Sequence, residues 1–178
     1  MILGMSTSTY TLLHVLISFV GIGSGLGVMF GMLRAHRLDR LTLLFLASTA
    51  LTSLTGFAFP NEHVTPGIVV GVLSLIVLAI AIVARYTVHL RGAWRPTYVI
   101  AAALALYFNC FVLVVQSFEK VPVLHALAPT QKEPPFGIAQ LLLLAVFVVL
   151  TVMAVKRFRL GQAEVQTVSA HTRTKGAA

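Results

Sequence analysis

Histidine and acidic side chains are the first candidates for chemistry in this chain, because together they can bind a transition metal. His14, His63 and His125 could combine with Glu62 and Glu119 in such a site. However, no two of these histidines are three or four residues apart, the spacing that places two ligands on one face of a helix. We therefore predict no metal site.

A haem or a quinone is the second chemistry that histidines could support. His14, His36 and His89 are the relevant side chains. A haem with two axial ligands needs both at the same depth and facing each other. His36 and His89 form a conceivable pair, whereas His14 has no obvious partner in another apolar segment. We predict no cofactor, and keep a haem- or quinone-associated membrane redox protein as an alternative.

Four polar side chains inside or at the ends of apolar segments are the candidate ligand-binding residues: His14, Asn109, Gln116 and Gln140. Burying such groups costs free energy unless they are paired, so we expect them to point into a helical bundle. Asn109 and Gln116 are seven residues apart and share roughly one helix face. The pattern predicts either hydrogen bonds between helices or a small polar cavity. The cavity would lie in the outer leaflet under the connection 117–136, as in a small-molecule transporter or binding protein.

The sequence lacks the common motifs of enzyme active sites. The sequence contains no Ser/His/Asp or Cys/His set, no H-E-x-x-H pair and no phosphate-binding glycine loop. Cys110 is the lone cysteine, so a disulfide within the chain is excluded. We predict no catalytic residues and expect a protein that is not an enzyme.

Glycines at four-residue spacing indicate where helices approach each other. Gly21 and Gly25 form one such row, and Gly23, Gly27 and Gly31 form another. Small residues at this spacing let a second helix backbone come close, which favours helix association in lipid. We interpret the five glycines as helix-packing residues within the chain, and a homodimer face is the alternative.

Five apolar segments must position all of these residues. Each is about long enough to cross a hydrocarbon core of roughly 30 Å, and none contains Asp, Glu, Lys or Arg. Only 10% of the 178 residues are charged, against about a quarter in soluble domains. We predict an all-α, polytopic transmembrane bundle over residues 1–160, followed by a disordered cytoplasmic tail at 161–178. The predicted spans are 10–33, 41–59, 67–84, 97–116 and 137–155.

The positive charges collect in alternate connections. Eleven of the 13 Lys and Arg fall after the first, third and fifth segments, which predicts an outer N-terminus and a cytoplasmic C-terminus. A basic inner face next to anionic lipid headgroups explains the net charge of +8 without a nucleic-acid partner. Within the first basic connection, Arg37 and Asp39 could form a local ion pair or the connection could contact headgroups. A four-span arrangement is the weaker topology.

The segment L-H-V-L-I-S-F-V-G-I-G-S-G-L-G, followed by R-A-H-R-L-D-R-L, resembles uncharacterised small bacterial multi-span inner-membrane proteins. Those proteins open with a histidine-containing, glycine-rich span and a basic H-R connection. The resemblance covers about a quarter of the chain. It implies a location in the bacterial inner membrane and implies no activity. With no catalytic signature present, we predict a structural, accessory or assembly component of a membrane complex, as a homodimer or with a membrane-protein partner.

Overall fold

The computed structural model describes the backbone of residues 4–59 and 66–175 and the side chains of 4–59 and 67–158. That part of the chain folds into helices joined by turns, which confirms the all-α prediction. The helices are α1 (Thr7–Leu33), α2 (Asp39–Gly56), α3 (Pro66–Ile82) with a π-helical turn at Val83–Thr87, α4 (Trp94–Lys120), α5 (Pro122–Leu127) and α6 (Pro134–Lys175).

Local sequence signals explain several helix ends. The Ser6 hydroxyl oxygen accepts from the Thr9 backbone N–H at 3.1 Å and caps α1. Proline is the first residue of α3, α5 and α6, where its missing N–H is not needed by the helix. After α1 the chain reverses through Ala35, whose φ of 57° is left-handed. These signals are local, so the element order follows closely from the sequence.

Four helices are long and apolar enough to cross a membrane: Thr7–Leu33, Gly67–Thr87, Trp94–Lys120 and Pro134–Phe158. They identify a chain suited to a membrane-integral bundle. The segment expected at 41–59 forms α2, which is less apolar than the other four because it begins with Asp39 and Arg40 and contains six Ser and Thr residues. The fifth span and the orientation stay predictions.

Helix α2 nevertheless lies beside its neighbour α1 over most of the length of α1. Its 18 residues give a length of about 27 Å. The Tyr10 hydroxyl donates to the Thr55 carbonyl oxygen at 2.8 Å at one end of this antiparallel pair. At the other end, Gly31 abuts Leu38. The two helices therefore form a hairpin that reaches from one end of the bundle to the other.

Helix α4 is the centre of the bundle. It contacts α1, α2, α3, α5 and α6. Its buried face is rich in alanine, which lets neighbouring helices approach closely. These residues are Ala101, Ala102, Ala103 and Ala105. The other candidate spans are less buried than α4, and they expose most of their large apolar side chains.

The C-terminal helix departs from the expected organisation. The backbone of α6 continues as helix to Lys175, through most of the segment 161–178 for which the sequence predicts a disordered tail. The last helical turns of α6 therefore extend beyond its apolar run, which ends at Val155 before Lys156 and Arg157.

Candidate functional site

His14 lies where α1 packs against the C-terminal end of α2. Its Nδ1 is 2.8 Å from the Thr55 hydroxyl oxygen, and its ring meets Phe59 edge-on with centroids 5.3 Å apart. The Thr55 hydroxyl is also 2.7 Å from the Leu51 carbonyl oxygen, to which it can donate. This hydrogen bond between the imidazole and the Thr55 hydroxyl joins α1 to α2.

Asn109 lies near the middle of α4 and faces α2. Its Nδ2 donates to the Thr49 hydroxyl oxygen at 3.0 Å, and both side chains are buried. A methyl group at Gly21 would be 3.3 Å from Thr49 Oγ1 and 3.4 Å from Asn109 Nδ2. The absence of a side chain at Gly21 thus leaves room for the two polar groups where α1, α2 and α4 converge.

Gln140 and Gln116 lie further along the bundle. Gln140 Nε2 donates to the Phe111 carbonyl oxygen at 3.3 Å, which joins α6 to α4, whereas Gln116 is exposed. Asn109 and Gln116 occupy about the same face of α4, but α2 ends at Gly56 and does not extend past the height of Gln116. The hydrogen-bonded members of the set therefore join three different helix pairs. The shared ligand site of all four residues stays a prediction.

The glycines of α1 differ in their surroundings. A methyl group at Gly25 would lie 2.8 Å from the Phe45 ring, and methyl groups at Gly27 and Gly31 would also meet leucine side chains closely. A methyl group at Gly23 would meet no atom within 4 Å. One glycine row thus faces the neighbouring helices throughout, while the other includes a position open to the surroundings.

His14 and His36 lie at different depths in the bundle. His14 and His36 belong to opposite ends of α1, about 30 Å apart along the helix axis. His89 bonds the Thr87 carbonyl oxygen at 3.0 Å. Among the described side chains, no three His, Cys, Asp or Glu residues form a group that could hold a metal. His63 and Glu62 lie outside the described residues, so the metal and haem hypotheses stay predictions.

The strongest concentration of charge inside the bundle is at Arg85. This residue is in the π-helical turn that follows α3, and π-helical turns often occur at functional sites. Arg85 is only 8% exposed. Its guanidinium donates to the carboxylate of Asp39 in the first turn of α2. The Asp39 side chain is 80% exposed, so the pair joins a buried cation to an anion at the surface.

Two tyrosines complete the surroundings of this arginine. The guanidinium carbon lies 5.1 Å from the ring centroid of Tyr98 and 5.8 Å from that of Tyr86. At these distances an aromatic face attracts a cation, and the attraction strengthens where water is excluded. Tyr98 is almost fully buried at the start of α4. The Arg85 side chain therefore holds together α2, α4 and the end of α3.

A narrow cleft opens beside this arginine. Its walls lie so close together that no water-sized space remains between them. Its walls combine basic, hydroxyl and apolar side chains from α1, α2, α4, α6, the π-helical turn and the first basic connection. The lining residues are Val28, Met32, His36, Arg37, Leu38, Thr42, Arg85, Tyr98 and Phe158. This cleft, at the arginine-rich end of the bundle, is the candidate functional site.

Sequence reasoning missed this arrangement. It interpreted Arg85 as a topology signal only and considered Arg37 as the local partner of Asp39. In the structure the carboxylate of Asp39 instead bonds Arg85. One feature of the sequence could have indicated the pair: Asp39 is the only acidic residue near the arginines of the first and third connections, so a buried arginine there would need it as a partner. Nothing in the sequence identifies which arginine is buried.

No protein-family profile, no curated protein and no solved structure matches this chain. Its function must therefore be inferred from the arrangement of its own residues. Two features stand out for that purpose: polar side chains that join helix pairs within the bundle, and a cleft with unbalanced positive charge at one end.

Proposed function

We propose that this chain is a non-enzymatic integral-membrane protein that acts as a structural, accessory or assembly component of a larger membrane complex. The observation that carries the proposal is that polar side chains of the apolar helices form hydrogen bonds between helices. His14, Asn109 and Gln140 each bond a group on a neighbouring helix. Groups that bond between neighbouring helices in this way stabilise a bundle.

The proposal includes five spans, with the N-terminus outside and the C-terminus in the cytoplasm of a bacterial inner membrane. Three features support it. Helix α2 lies beside α1 along the length of the bundle. The ion pair of Asp39 with Arg85 places the connections after α1 and α3 at the same end. The basic residues of those connections would then contact the anionic headgroups of the inner leaflet.

The exposed side of α1 is the surface that a partner helix would use. Phe19 is 53% exposed and Phe30 is 59% exposed, and Gly23 between them has open space beside it. A small residue flanked by large apolar ones allows a second helix to approach closely. The partner is either a second copy of this chain or another membrane protein.

Native electrophoresis of gently solubilised membranes tests the proposal. We expect the wild-type chain to migrate in a complex larger than the purified monomer. Gly23→Leu should release it, because the new side chain fills the space needed by a partner. Gly137→Leu is the matched control, since a methyl group at Gly137 would also meet no atom within 4 Å but would lie on α6.

Migration of the wild-type chain as a monomer would contradict the assembly role. An absorption spectrum of the same sample provides a second check. A haem Soret band at stoichiometric intensity would favour a redox protein and overturn the accessory function.

A further inference from the structure

A groove between α4 and α6 contains about 180 Å³ of space. This α4–α6 groove is defined by Ala103, Leu104 and Tyr107 of α4 and by Phe147, Val148 and Val152 of α6. We propose that it binds one acyl chain of a membrane lipid. The inference goes beyond the proposed assembly role, and it requires only that the chain is embedded in a membrane.

The walls of the groove are apolar, so they favour a hydrocarbon as the occupant. Ala103 and Phe147 are 2% and 6% exposed and form the floor. The Tyr107 ring meets Phe147 edge-on with centroids 5.7 Å apart. Thr151 also lines the groove, but its hydroxyl donates to the Phe147 carbonyl oxygen at 2.6 Å. An apolar protein cavity of about 150 Å³ stays dry and binds small hydrocarbons, and the α4–α6 groove combines a similar volume with the same wall chemistry.

The groove opens sideways between two helices that are long and apolar enough to cross a membrane. Its rim is exposed, at 39% for Leu104, 53% for Val148 and 48% for Val152. Along α4 the lining residues fall within 100–107, about 9–20 Å from the start of the helix at Trp94. The hydrocarbon of one leaflet is roughly 15 Å deep. An acyl chain from the leaflet at the arginine-rich end therefore passes at the depth of the groove.

The shape of the groove suits a flexible chain better than a second helix. Close approach of a helix backbone needs a row of small residues. Ala103 is the one small residue of α4 among those that line the groove, and Ile100 and Tyr107 lie one turn before and after it. A helix would stop at these larger side chains and leave the floor without contacts, which costs dispersion energy. An acyl chain can instead touch both the floor and the walls.

Photo-cross-linking of the full-length chain tests the site. The chain is reconstituted in liposomes of phosphatidylcholine, of which a small fraction has a diazirine in the middle of one acyl chain, and labelled residues are identified by peptide mass spectrometry. Val148→Phe and Val152→Phe each narrow the groove at its rim. Val149→Phe is the matched control, because Val149 is 56% exposed on the same helix and does not line the groove. All three positions are exposed, so none of the changes should prevent folding.

We expect the acyl chain to label Ala103 in wild type and in Val149→Phe, since a lipid outside the groove does not reach a residue that is 2% exposed. The label should be lost in Val148→Phe and in Val152→Phe. An unlabelled Ala103 in wild type, or equal labelling in Val148→Phe and Val149→Phe, would overturn the site.

A second copy of the chain is the other occupant that the experiment distinguishes. In a Cys110→Ala background, Val148→Cys should remain monomeric under oxidising conditions, because lipid covers the groove. Efficient disulfide cross-linking into a dimer would place a second copy against the groove and overturn the lipid as its occupant. The liposomes contain no other protein, so a chain that migrates as a monomer in native electrophoresis can still be labelled at Ala103. Failure of the assembly role and failure of this site are therefore distinguishable.

Discussion

The hydrogen bond between Asn109 and Thr49 is the clearest single-residue contribution to the bundle, since both side chains are buried and 3.0 Å apart. We predict that Asn109→Leu and Thr49→Val each destabilise the protein by about 1 kcal/mol. The double variant should lose less stability than the sum of the two single losses, because the hydrogen bond is already absent after the first change. Unfolding from detergent micelles measures the three values. Strictly additive losses would show that the pair does not interact.

Glycine contacts on α1 give a second prediction at the residue scale. Gly25→Ala places a methyl 2.6 Å from Leu106 and 2.8 Å from Phe45, which are each 1% exposed and cannot move aside freely. We expect a loss of about 1–3 kcal/mol. Gly23→Ala is the control, and should be neutral or slightly stabilising because alanine favours the helix. Equal thermal stability of the two variants would contradict this account of the packing.

Glu133 provides a pH prediction outside the spans. Its carboxylate accepts from the Thr130 hydroxyl at 2.8 Å and from the Thr130 and Lys132 backbone N–H groups. The hydroxyl bond, with the backbone bonds behind it, lowers the pKa of Glu133 below its ordinary value. The bonds to the carboxylate therefore stabilise the folded loop at pH values above the pKa that Glu133 has in the unfolded chain. This stabilisation is lost as the pH falls through the lower pKa that Glu133 has in the folded chain.

Carboxyl NMR titration of wild type and Thr130→Val measures this effect. We expect the variant to have the higher Glu133 pKa, because its side chain cannot donate. An identical titration midpoint in the two proteins would mean that the hydroxyl bond does not form in solution.

At the scale of elements, the Arg85–Asp39 pair fixes the start of α2 against the end of α3. Asp39→Asn leaves a buried guanidinium without its carboxylate, and we expect a loss of about 1–3 kcal/mol. The loss stays below that of a fully buried pair because Asp39 is exposed. Adding Arg85→Met should recover stability, since the unpaired charge is then removed. A double variant no more stable than Asp39→Asn would contradict a paired role for Arg85.

The weaker apolar character of α2 has a related explanation. Three of its hydroxyl groups bond backbone carbonyl oxygens one turn earlier: Ser48 bonds Leu44 at 2.6 Å, Ser53 bonds Thr49 at 3.1 Å and Thr55 bonds Leu51 at 2.7 Å. Such bonds satisfy the hydroxyls without a partner helix. Helix α2 can therefore lie between α1 and α3 despite a composition less apolar than theirs.

At the scale of the whole molecule, the testable quantity is the topology. In a Cys110→Ala background, we expect cysteine at position 91 to be labelled from the cytoplasmic side and cysteine at position 131 from the outside, because arginine-rich connections are retained in the cytoplasm. A membrane-impermeant thiol reagent applied to intact cells distinguishes the two. Labelling of position 91 from the outside would overturn the proposed orientation.

The positions of the apolar helices could be predicted from the sequence one segment at a time. The apolar segment at 97–116 lies within α4, and that at 10–33 within α1. This succeeds because a helix in lipid satisfies its own backbone bonds, so length and hydrophobicity of one segment are sufficient to predict it. The direction of insertion can also be predicted without the tertiary structure, because it depends on the number of arginines in each connection.

The contacts between side chains could not be predicted in the same way, because they depend on how the helices pack. Asp39 bonds Arg85 rather than Arg37, Gln116 is exposed although Asn109 on the same face is buried, and Gly23 lacks the close contacts of Gly25. Each outcome depends on the register between helices, on where α2 ends, and on a π-helical turn that changes the face on which Arg85 lies. These are relations between distant segments, and the pattern of one segment does not contain them.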